Sequence, residues 1–302
     1  MSELTPEERE RFHDIFPFEA HFLEVDGQNL CYFDEGTGPA LVLIHSCPMS
    51  AFAFRSVIRE FRTTRRVIAY DQLGFGRSDK PLNFDYRIEN HIEHLERLLN
   101  HLGISDHITL VMHGRGAAIG MGYAARHPES VDSFIVMNAM SFSDFSLPFR
   151  LRICKLPVLG NILVNKFNFF LRPPWRYPKI VRDAYLMPFP RREDRCALME
   201  FINSLPCAPE DKSAQSMIEI ETAIWSLREK RALILWGGKD WLYTKRALRK
   251  WTEYFPSAKV VILPLAGRFL MEDDPAEFIT NVREFFEEGK TRPCPGNPSS
   301  WK

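Results

Sequence analysis

The chain has 302 residues, of which 45% are apolar and 26% charged, and its 39 basic residues balance 39 acidic ones. These proportions are typical of a globular protein and exclude a largely disordered chain. A formal net charge of zero gives no overall attraction for nucleic acid or for an anionic membrane. We therefore expect no nucleic-acid partner.

The cysteines and the amino terminus indicate the cellular compartment. No Cys-x-x-Cys pair occurs, which argues against a zinc module and a disulfide framework; the six cysteines are Cys31, Cys47, Cys154, Cys196, Cys207 and Cys294. The first twenty residues are too charged for a signal peptide, and no apolar stretch is long enough to span a bilayer. We expect a cytoplasmic protein without a bound metal or a transmembrane segment.

Apolar runs alternate with helical patterns along the chain. A helix-start signal at Thr5 and Pro6 precedes strands predicted at 21–25, 29–33, 40–44, 66–70, 107–112, 133–137, 232–236 and 260–263. Helices are predicted at 50–62, 87–102, 116–126, 244–255 and 275–287. The later strands are short and continuously apolar, as parallel strands buried on both faces are. The alternation predicts an α/β fold with a mostly parallel, doubly wound sheet.

One long segment interrupts this alternation. Residues 141–229 have a helical pattern without buried-strand runs, and we interpret them as a helical cap inserted into the sheet domain. The core domain then comprises residues 1–140 and 230–287. The proline-rich tail at 288–302 is expected to be disordered.

The segment from His107 to Ala118 is typical of a strand that turns sharply into a helix. The turn residue is Gly114, between His113 and Arg115. In a nucleophile elbow this residue is the Ser, Cys or Asp that attacks the substrate. Glycine tolerates the strained backbone but supplies no nucleophile.

The two loops that would complete a catalytic triad carry an acid and a permanent cation. Asp240 follows the penultimate strand, in the position of an orienting acid. Arg268 follows the last strand, in the position of the base, and a guanidinium remains protonated at neutral pH. No histidine follows His127 in the chain. We therefore predict a bidentate ion pair between Asp240 and Arg268.

The loop after the first central strand is a candidate oxyanion site. It begins with Ser46 and Cys47, and the backbone amides of Cys47 and Arg115 are its candidate donors. The Cys47 thiol could substitute for the nucleophile, but no base that would activate it is evident. His113 is the best remaining acid or base, although its position before the elbow favours a core-facing ring.

Several motifs together resemble the α/β-hydrolase superfamily, and within it the haloalkane-dehalogenase-like proteins. The resemblance covers roughly residues 16–287 and rests on Tyr32–Gly36, His45-x-x-Pro48, Tyr70–Pro81, the elbow and Arg126–Glu129. The start of the cap, Ser146–Cys154 with Pro157–Gly160, is similar to the β-lactone decarboxylase branch of bacterial olefin biosynthesis.

This resemblance implies specific catalytic residues. It implies an Asp nucleophile at Gly114, a Trp at Arg115, an Asn at Cys47 and a base His at Arg268. It also implies an acid at Asp240 or, in some branches, at Asn138; of all these positions only Asp240 matches. The resemblance therefore predicts the fold together with a degenerate site, that of a pseudo-hydrolase.

Three functions remain open at this stage. The first is a non-catalytic, capped apolar pocket for a ligand with an anionic or polar head near Arg115 and Arg268, with assembly on related pathway enzymes. The second is a hydrolase or lyase with altered chemistry that uses its own acid, thiol or imidazole. The third is nucleotide binding at Gly114-x-Gly116, which lacks the third glycine of the motif because Ile119 occupies that position. We expect no cofactor. Asn138 and Trp241 complete the predicted pocket region.

Overall fold

A computed structural model describes residues 6–140, 142, 149–156, 159–160, 162–166, 174–243 and 245–291. Its centre is one eight-stranded sheet with strand order β1-β2-β4-β3-β5-β6-β7-β8. The strands are β1 His21–Val25, β2 Gln28–Glu35, β3 Ala40–Ile44, β4 Arg66–Tyr70, β5 Ile108–His113, β6 Val131–Met137, β7 Arg231–Gly237 and β8 Lys259–Leu263.

The sheet is mostly parallel. Strands β1 and β2 pair antiparallel to each other, and β2 pairs antiparallel to β4, whereas every later pair is parallel. The predicted α/β architecture is therefore confirmed. Since parallel strands end at the same edge of a sheet, the loops after β3, β5, β6, β7 and β8 meet there.

Helices cover both faces of the sheet. Before β7 they are α1 Pro6–Ile15, α2 Arg55–Phe61, α3 Ile88–His101, α4 Gly116–Arg126, α5 Phe149–Cys154, α6 Lys179–Leu186, α7 Cys196–Asn203 and α8 Lys212–Ile224. After β7 they are α9 Lys245–Tyr254, α10 Leu270–Asp273 and α11 Pro275–Thr291. The predicted helix at 50–62 begins with a 3₁₀ turn, Ala51–Phe54, before α2.

Each of the six inner strands, β2 to β7, contributes to two separate hydrophobic cores. In β3, Val42 and Ile44 join the core beneath α3 and α4, whereas Leu41 and Leu43 join the core beneath α2 and α11. All five residues of β3 are buried. This two-sided burial explains the continuous apolar runs in the sequence and fixes the strand ends that carry the site.

The segment between β6 and β7 is helical in its described residues, which contain α5, a π-helical turn at Ile162–Lys166, and α6 to α8. The final helix is longer than predicted. It continues to Thr291 instead of ending at residue 287, and Glu288 pairs there with Lys259 at 2.9 Å. Residues 288–291, for which disorder was predicted, thus belong to this helix, and residues 292–302 lie outside the described part of the chain.

Two further expectations concern cysteines and membranes. The described cysteines, Cys31, Cys47, Cys154, Cys196 and Cys207, are all free thiols, and Cys294 lies outside the described residues. Within the described ranges, no helix is both long enough and apolar enough to cross a bilayer.

Candidate functional site

The predicted elbow is present between β5 and α4. Gly114 follows β5 with a φ of +55°, in the left-handed region that glycine enters without steric cost. The next glycine, Gly116, packs so closely on β3 that a Cβ atom there would overlap the carbonyl oxygen of Ile44. The strand therefore turns into the helix with almost no clearance, as the sequence predicts.

Two hydroxyl groups surround the elbow residue. A Cβ atom on Gly114 would overlap the Ser46 side chain and would lie 2.9 Å from the Tyr243 hydroxyl. Ser46 is fully buried and its hydroxyl donates to the Cys47 carbonyl at 3.2 Å. Burial raises the pKa of the Tyr243 hydroxyl to about 12, although the nearby charge of Arg268 opposes the shift. The space that a side chain at residue 114 needs is thus filled.

The position predicted for a base holds Arg268, whose side chain crosses the site. Its Nη2 donates to the carbonyl of Cys47, and the residue is 8% exposed. The predicted ion pair with Asp240 does not form, because the guanidinium extends to the β3 loop instead. The Nε of Arg268 is buried without a hydrogen-bond partner among the described residues.

Asp240 is held by a network at the ends of β6 and β7. Its Oδ1 accepts from the backbone amides of Leu242 at 2.7 Å and Tyr243 at 3.3 Å, and its Oδ2 accepts from Asn138 at 2.7 Å. Burial raises the pKa of Asp240, while the charge of Arg268 and these donors oppose the shift. The Asp240 carboxylate therefore holds the loops after β6 and β7 in position.

Asn138 is the centre of this network. It has a φ of +34°, a region that asparagine enters more readily than most residues. Its Oδ1 accepts from the Gly237 amide at 2.6 Å, and its Nδ2 donates to Asp240 and to the Gly267 carbonyl at 3.2 Å. One side chain thereby joins the loops after β6, β7 and β8.

Arg115, the residue after Gly114, is the second buried cation. It is 4% exposed, donates to the Tyr86 carbonyl at 2.6 Å and lies over the Phe201 ring at 5.3 Å. Burial lowers its pKa to about 10, so it remains protonated at pH 7. Phe201 belongs to α7, so the helical segment after β6 contacts this site.

The candidate oxyanion loop has unused donors and an inert thiol. Among the described residues, the backbone amides of Cys47 and Arg115 donate no hydrogen bond, although both residues are buried. Burial raises the pKa of the Cys47 thiol to about 12, and the charges of Arg268 and Arg115 oppose the shift. A thiol with that pKa supplies almost no thiolate at neutral pH.

Two buried imidazoles lie near the elbow. Among the described residues, neither ring nitrogen of His113 has a hydrogen-bond partner. Burial, followed by the charge of Arg268, lowers the pKa of His113 to about 3, and the Arg268 backbone opposes this shift only in part. His45 accepts from the Gln72 amide at its Nε2, 3.0 Å away, so its proton is on Nδ1, 2.9 Å from the Ser46 carbonyl. Both rings are therefore neutral.

The structure differs from the predicted site at two residues. Trp241, predicted to line the pocket, is 39% exposed. Tyr243, which sequence reasoning missed, is buried beside Gly114 and Ser46. The sequence could have indicated Tyr243, because it lies in the loop after β7, three residues beyond Asp240. The turn around the Asp240 carboxylate directs its side chain inward.

These residues bring two cations, two hydroxyl groups and free amides together at the carboxyl edge of the sheet. Such donors are suited to binding and polarising an oxyanion or a carboxylate. Attack through residue 114 would need a nucleophile that glycine lacks, and the neighbouring guanidinium accepts no proton.

Comparison with known families agrees with the fold. The family model of the alpha/beta hydrolase fold matches residues 39–275. The chain therefore belongs to the α/β-hydrolase fold family, and it is haloalkane-dehalogenase-like.

Individual relatives resemble the chain over nearly its whole length. The cis-3-alkyl-4-alkyloxetan-2-one decarboxylase of Shewanella oneidensis is 34% identical, covering 94% of this chain and 93% of that protein. A haloalkane dehalogenase of Sphingobium indicum is also 34% identical, covering 89% and 96%. The crystal structure of a haloalkane dehalogenase from Bradyrhizobium elkani superposes with a TM-score of 0.80 at 23% identity, covering 90% and 99%.

Proposed function

We propose that this chain binds a small apolar molecule with an anionic head, held by Arg115 and Arg268 at the carboxyl edge of the sheet. The observation that carries the proposal is the unused donor capacity of the two guanidinium groups. Each has five N–H donors. Among the described residues each donates to one acceptor, the carbonyl of Tyr86 or of Cys47, and neither has a carboxylate partner.

The energetic argument is that a buried charge without a counter-charge is costly. Removing an ion from water costs several kcal/mol unless a partner and hydrogen bonds compensate. Asp240 attracts Arg268 through its charge, but no hydrogen bond joins the two side chains, because the Asp240 oxygens accept from Asn138 and from backbone amides. A ligand carboxylate would form charge-assisted, bidentate bonds and offset this cost.

The remaining donors support the same ligand class. The free backbone amides of Cys47 and Arg115 lie on the two loops that flank the elbow, and they would donate to an oxygen bound between the arginines. The helices between β6 and β7 would cap the ligand, because Phe201 of α7 already packs on Arg115. The decarboxylase relative's name, with its two alkyl groups on a lactone ring, is consistent with an apolar ligand.

In this proposal the protein acts as a pseudo-hydrolase. Gly114 offers no nucleophile, Arg268 offers no base, and the nearest thiol, on Cys47, is protonated at neutral pH. Covalent attack followed by hydrolysis needs both groups, so neither half-reaction would proceed. Assembly with related pathway enzymes stays a prediction of the sequence.

Calorimetric titration tests the binding proposal. Decanoate is expected to bind, whereas methyl decanoate and decylamine, which lack the negative charge, bind at least about tenfold more weakly. Arg268→Met and Arg115→Met each reduce affinity for decanoate by a similar factor. The control, Arg249→Met, changes an exposed arginine on α9 and leaves affinity unchanged. Equal binding of the acid and its ester, or binding of neither, would refute the proposal.

A second candidate is an active hydrolase or lyase with altered chemistry, favoured by the enzyme names of the relatives. Its reactive groups would be Asp240, Cys47 or His113. Turnover of haloalkanes, p-nitrophenyl esters or a β-lactone, abolished by Asp240→Asn at unchanged stability, would establish this candidate and reject the pseudo-hydrolase.

Rebuilding the site separates the two candidates further. Gly114→Asp with Arg268→His restores the nucleophile and the base that the family resemblance implies, but the new aspartate would overlap the Ser46 side chain. Adding Ser46→Gly removes that overlap. We expect dehalogenase or lactone activity only in the triple variant, which would show that the surrounding pocket is intact. Equal activity of the wild-type chain would instead support the second candidate.

A further inference from the structure

Both chain neighbours of Arg268 are held in place by other residues. The Gly267 amide donates to Oδ2 of Asp273 at 2.6 Å, and the Gly267 carbonyl accepts from Asn138 at 3.2 Å. On the other side, the Phe269 carbonyl accepts from the Asp273 amide at 2.8 Å. The backbone on either side of Arg268 is therefore fixed, and Asp273 provides one partner on each side.

Two tyrosines of the helical segment between β6 and β7 contact this loop. Tyr177, two residues before α6 begins, donates its hydroxyl to Oδ1 of Asp273, and Tyr185 of α6 donates to Glu272 at 2.8 Å. Both tyrosine rings meet the Phe269 ring edge to face, with centroid distances of 6.0 Å for Tyr177 and 5.3 Å for Tyr185. The two tyrosines are buried, so α6 packs closely on the residues that surround Arg268.

The hydroxyl groups of these tyrosines do not supply a counter-charge. Glu272 forms a bidentate pair with Arg55, and Asp273 pairs with Arg176. Burial, followed by the neighbouring carboxylates, raises the pKa of both tyrosine hydroxyls, so both remain donors at pH 7. Their hydrogen bonds instead fix the position of α10, which carries both carboxylates, relative to α6.

We propose that Tyr177 and Tyr185 are positioning residues, which hold the Arg268 guanidinium where it meets the anionic head of the ligand. The inference rests on the proposed function and adds the residues that set the direction of this cation. Tyr177 acts through Asp273, and both tyrosine rings act through Phe269. Because coupling between two sites is reciprocal, a carboxylate bound to Arg268 would also stabilise the contact of α6 with α10.

Calorimetric titration with decanoate tests this role in a double-mutant cycle. Tyr177→Phe removes the hydroxyl and keeps the ring on Phe269, and Tyr185→Phe does the same for the second tyrosine. We expect each change to weaken decanoate binding at least about threefold when Arg268 is present, and less than about 1.5-fold in the Arg268→Met variant. Equal losses with and without Arg268 would indicate a merely structural role and overturn the proposal.

The matched control is Tyr254→Phe. Tyr254 of α9 is also buried, and its hydroxyl donates to a carboxylate, that of Glu221 on α8, at 2.5 Å. We expect this variant to bind decanoate as the wild-type chain does. A loss of affinity equal to that of Tyr177→Phe would contradict a specific action on Arg268.

A measurement without ligand separates this inference from the proposed function. The buried Nε–H group of Arg268 has an NMR signal that its loss in Arg268→Met assigns. Tyr177→Phe and Tyr185→Phe are expected to shift this signal more than Tyr254→Phe does, and no difference would overturn the positioning role. If the signal shifts as expected but the wild-type chain does not bind decanoate, the proposed function fails while the control of Arg268 by the tyrosines stands.

Discussion

The Ser46 side chain occupies the space into which residue 114 would project a Cβ atom, and residue 114 is a glycine. The Ser46 side chain, in the loop after β3, therefore fits against the glycine at the elbow after β5. The two residues are far apart in sequence, and only the parallel pairing of β3 with β5 brings their loops together.

A double-mutant cycle measures this fit. Gly114→Ala is expected to lower the free energy of unfolding by about 2–4 kcal/mol, because it adds a clash and a left-handed alanine. Ser46→Gly alone removes buried contacts and costs about 1 kcal/mol. Combined, the two changes should cost at least about 1 kcal/mol less than the sum, since the overlap with Ser46 disappears and only the close approach to the Tyr243 hydroxyl remains. Urea unfolding gives all four values, and strict additivity would contradict the fit.

Arg268→Met should stabilise the fold while weakening ligand binding. Replacing a buried guanidinium that has unsatisfied N–H donors with an apolar side chain of similar length should raise the free energy of unfolding by about 1–3 kcal/mol, less the lost attraction between Arg268 and Asp240. Thermal and urea unfolding of the ligand-free protein measure the change, with Arg249→Met as the neutral reference. A destabilised Arg268→Met variant would indicate that the guanidinium has a structural partner instead of a ligand.

The stability of the protein should fall in acid, with His113 as one cause. Its folded-state pKa is lowered to about 3, from 6.5, so between these values the unfolded chain binds a proton that the folded chain does not. The free energy of unfolding therefore rises with pH across that window, and this one group costs about 2 kcal/mol between pH 7 and pH 5. His113→Leu should reduce the difference between urea unfolding at the two pH values by that amount.

The control for this pH effect is His107→Leu. Asp132 raises the pKa of the exposed His107 ring through a hydrogen bond, so its protonation favours the folded state in acid. Removing this ring should leave the acid destabilisation in place or increase it slightly. Equal stability of the wild-type protein at pH 5 and pH 7 would contradict the prediction. It would mean that the buried imidazoles have hydrogen-bond partners in solution.

The Cys47 thiol should react slowly with iodoacetamide. Because burial raises its pKa to about 12, its thiolate fraction at pH 8 is about 10⁻⁴, and the surrounding protein shields it further. The exposed Cys207 is the internal reference. Mass spectrometry of the alkylated peptides should show Cys207 modified at least about 100-fold faster. Comparable rates would reveal an activated thiol and favour the enzymatic candidate.

Asn138→Ala should destabilise the three loops together. The change leaves the Gly237 amide and one oxygen of Asp240 without their partners, at a cost of about 2–4 kcal/mol. Urea unfolding measures this cost. Asn90→Ala, which removes an exposed side-chain bond to the Asp85 carbonyl, is the comparison and should cost less than about 1 kcal/mol. Equal costs would mean that Asn138 does not hold the loops.

The sequence predicted the fold well because its signals are local. Continuous apolar runs at β3, β5, β6 and β7 arise from burial on both faces, and each falls within a residue or two of its predicted position. The elbow was predictable for a similar reason, because β5, the turn and α4 are consecutive in the chain. The length of α11 was not predictable in this way, because its last turn is held by an ion pair between Glu288 and Lys259 of β8.

The chain alone therefore determined the sheet, the glycine at the elbow and the guanidinium after β8, all properties of consecutive residues. Only the tertiary structure decided where Arg268 points, that Tyr243 is buried beside Ser46, and that Asp240 pairs with Asn138 instead. These contacts join loops from different strands, and their partners depend on distances set by sheet register and helix packing. The charges of residues and their spacing along the sequence do not specify these distances.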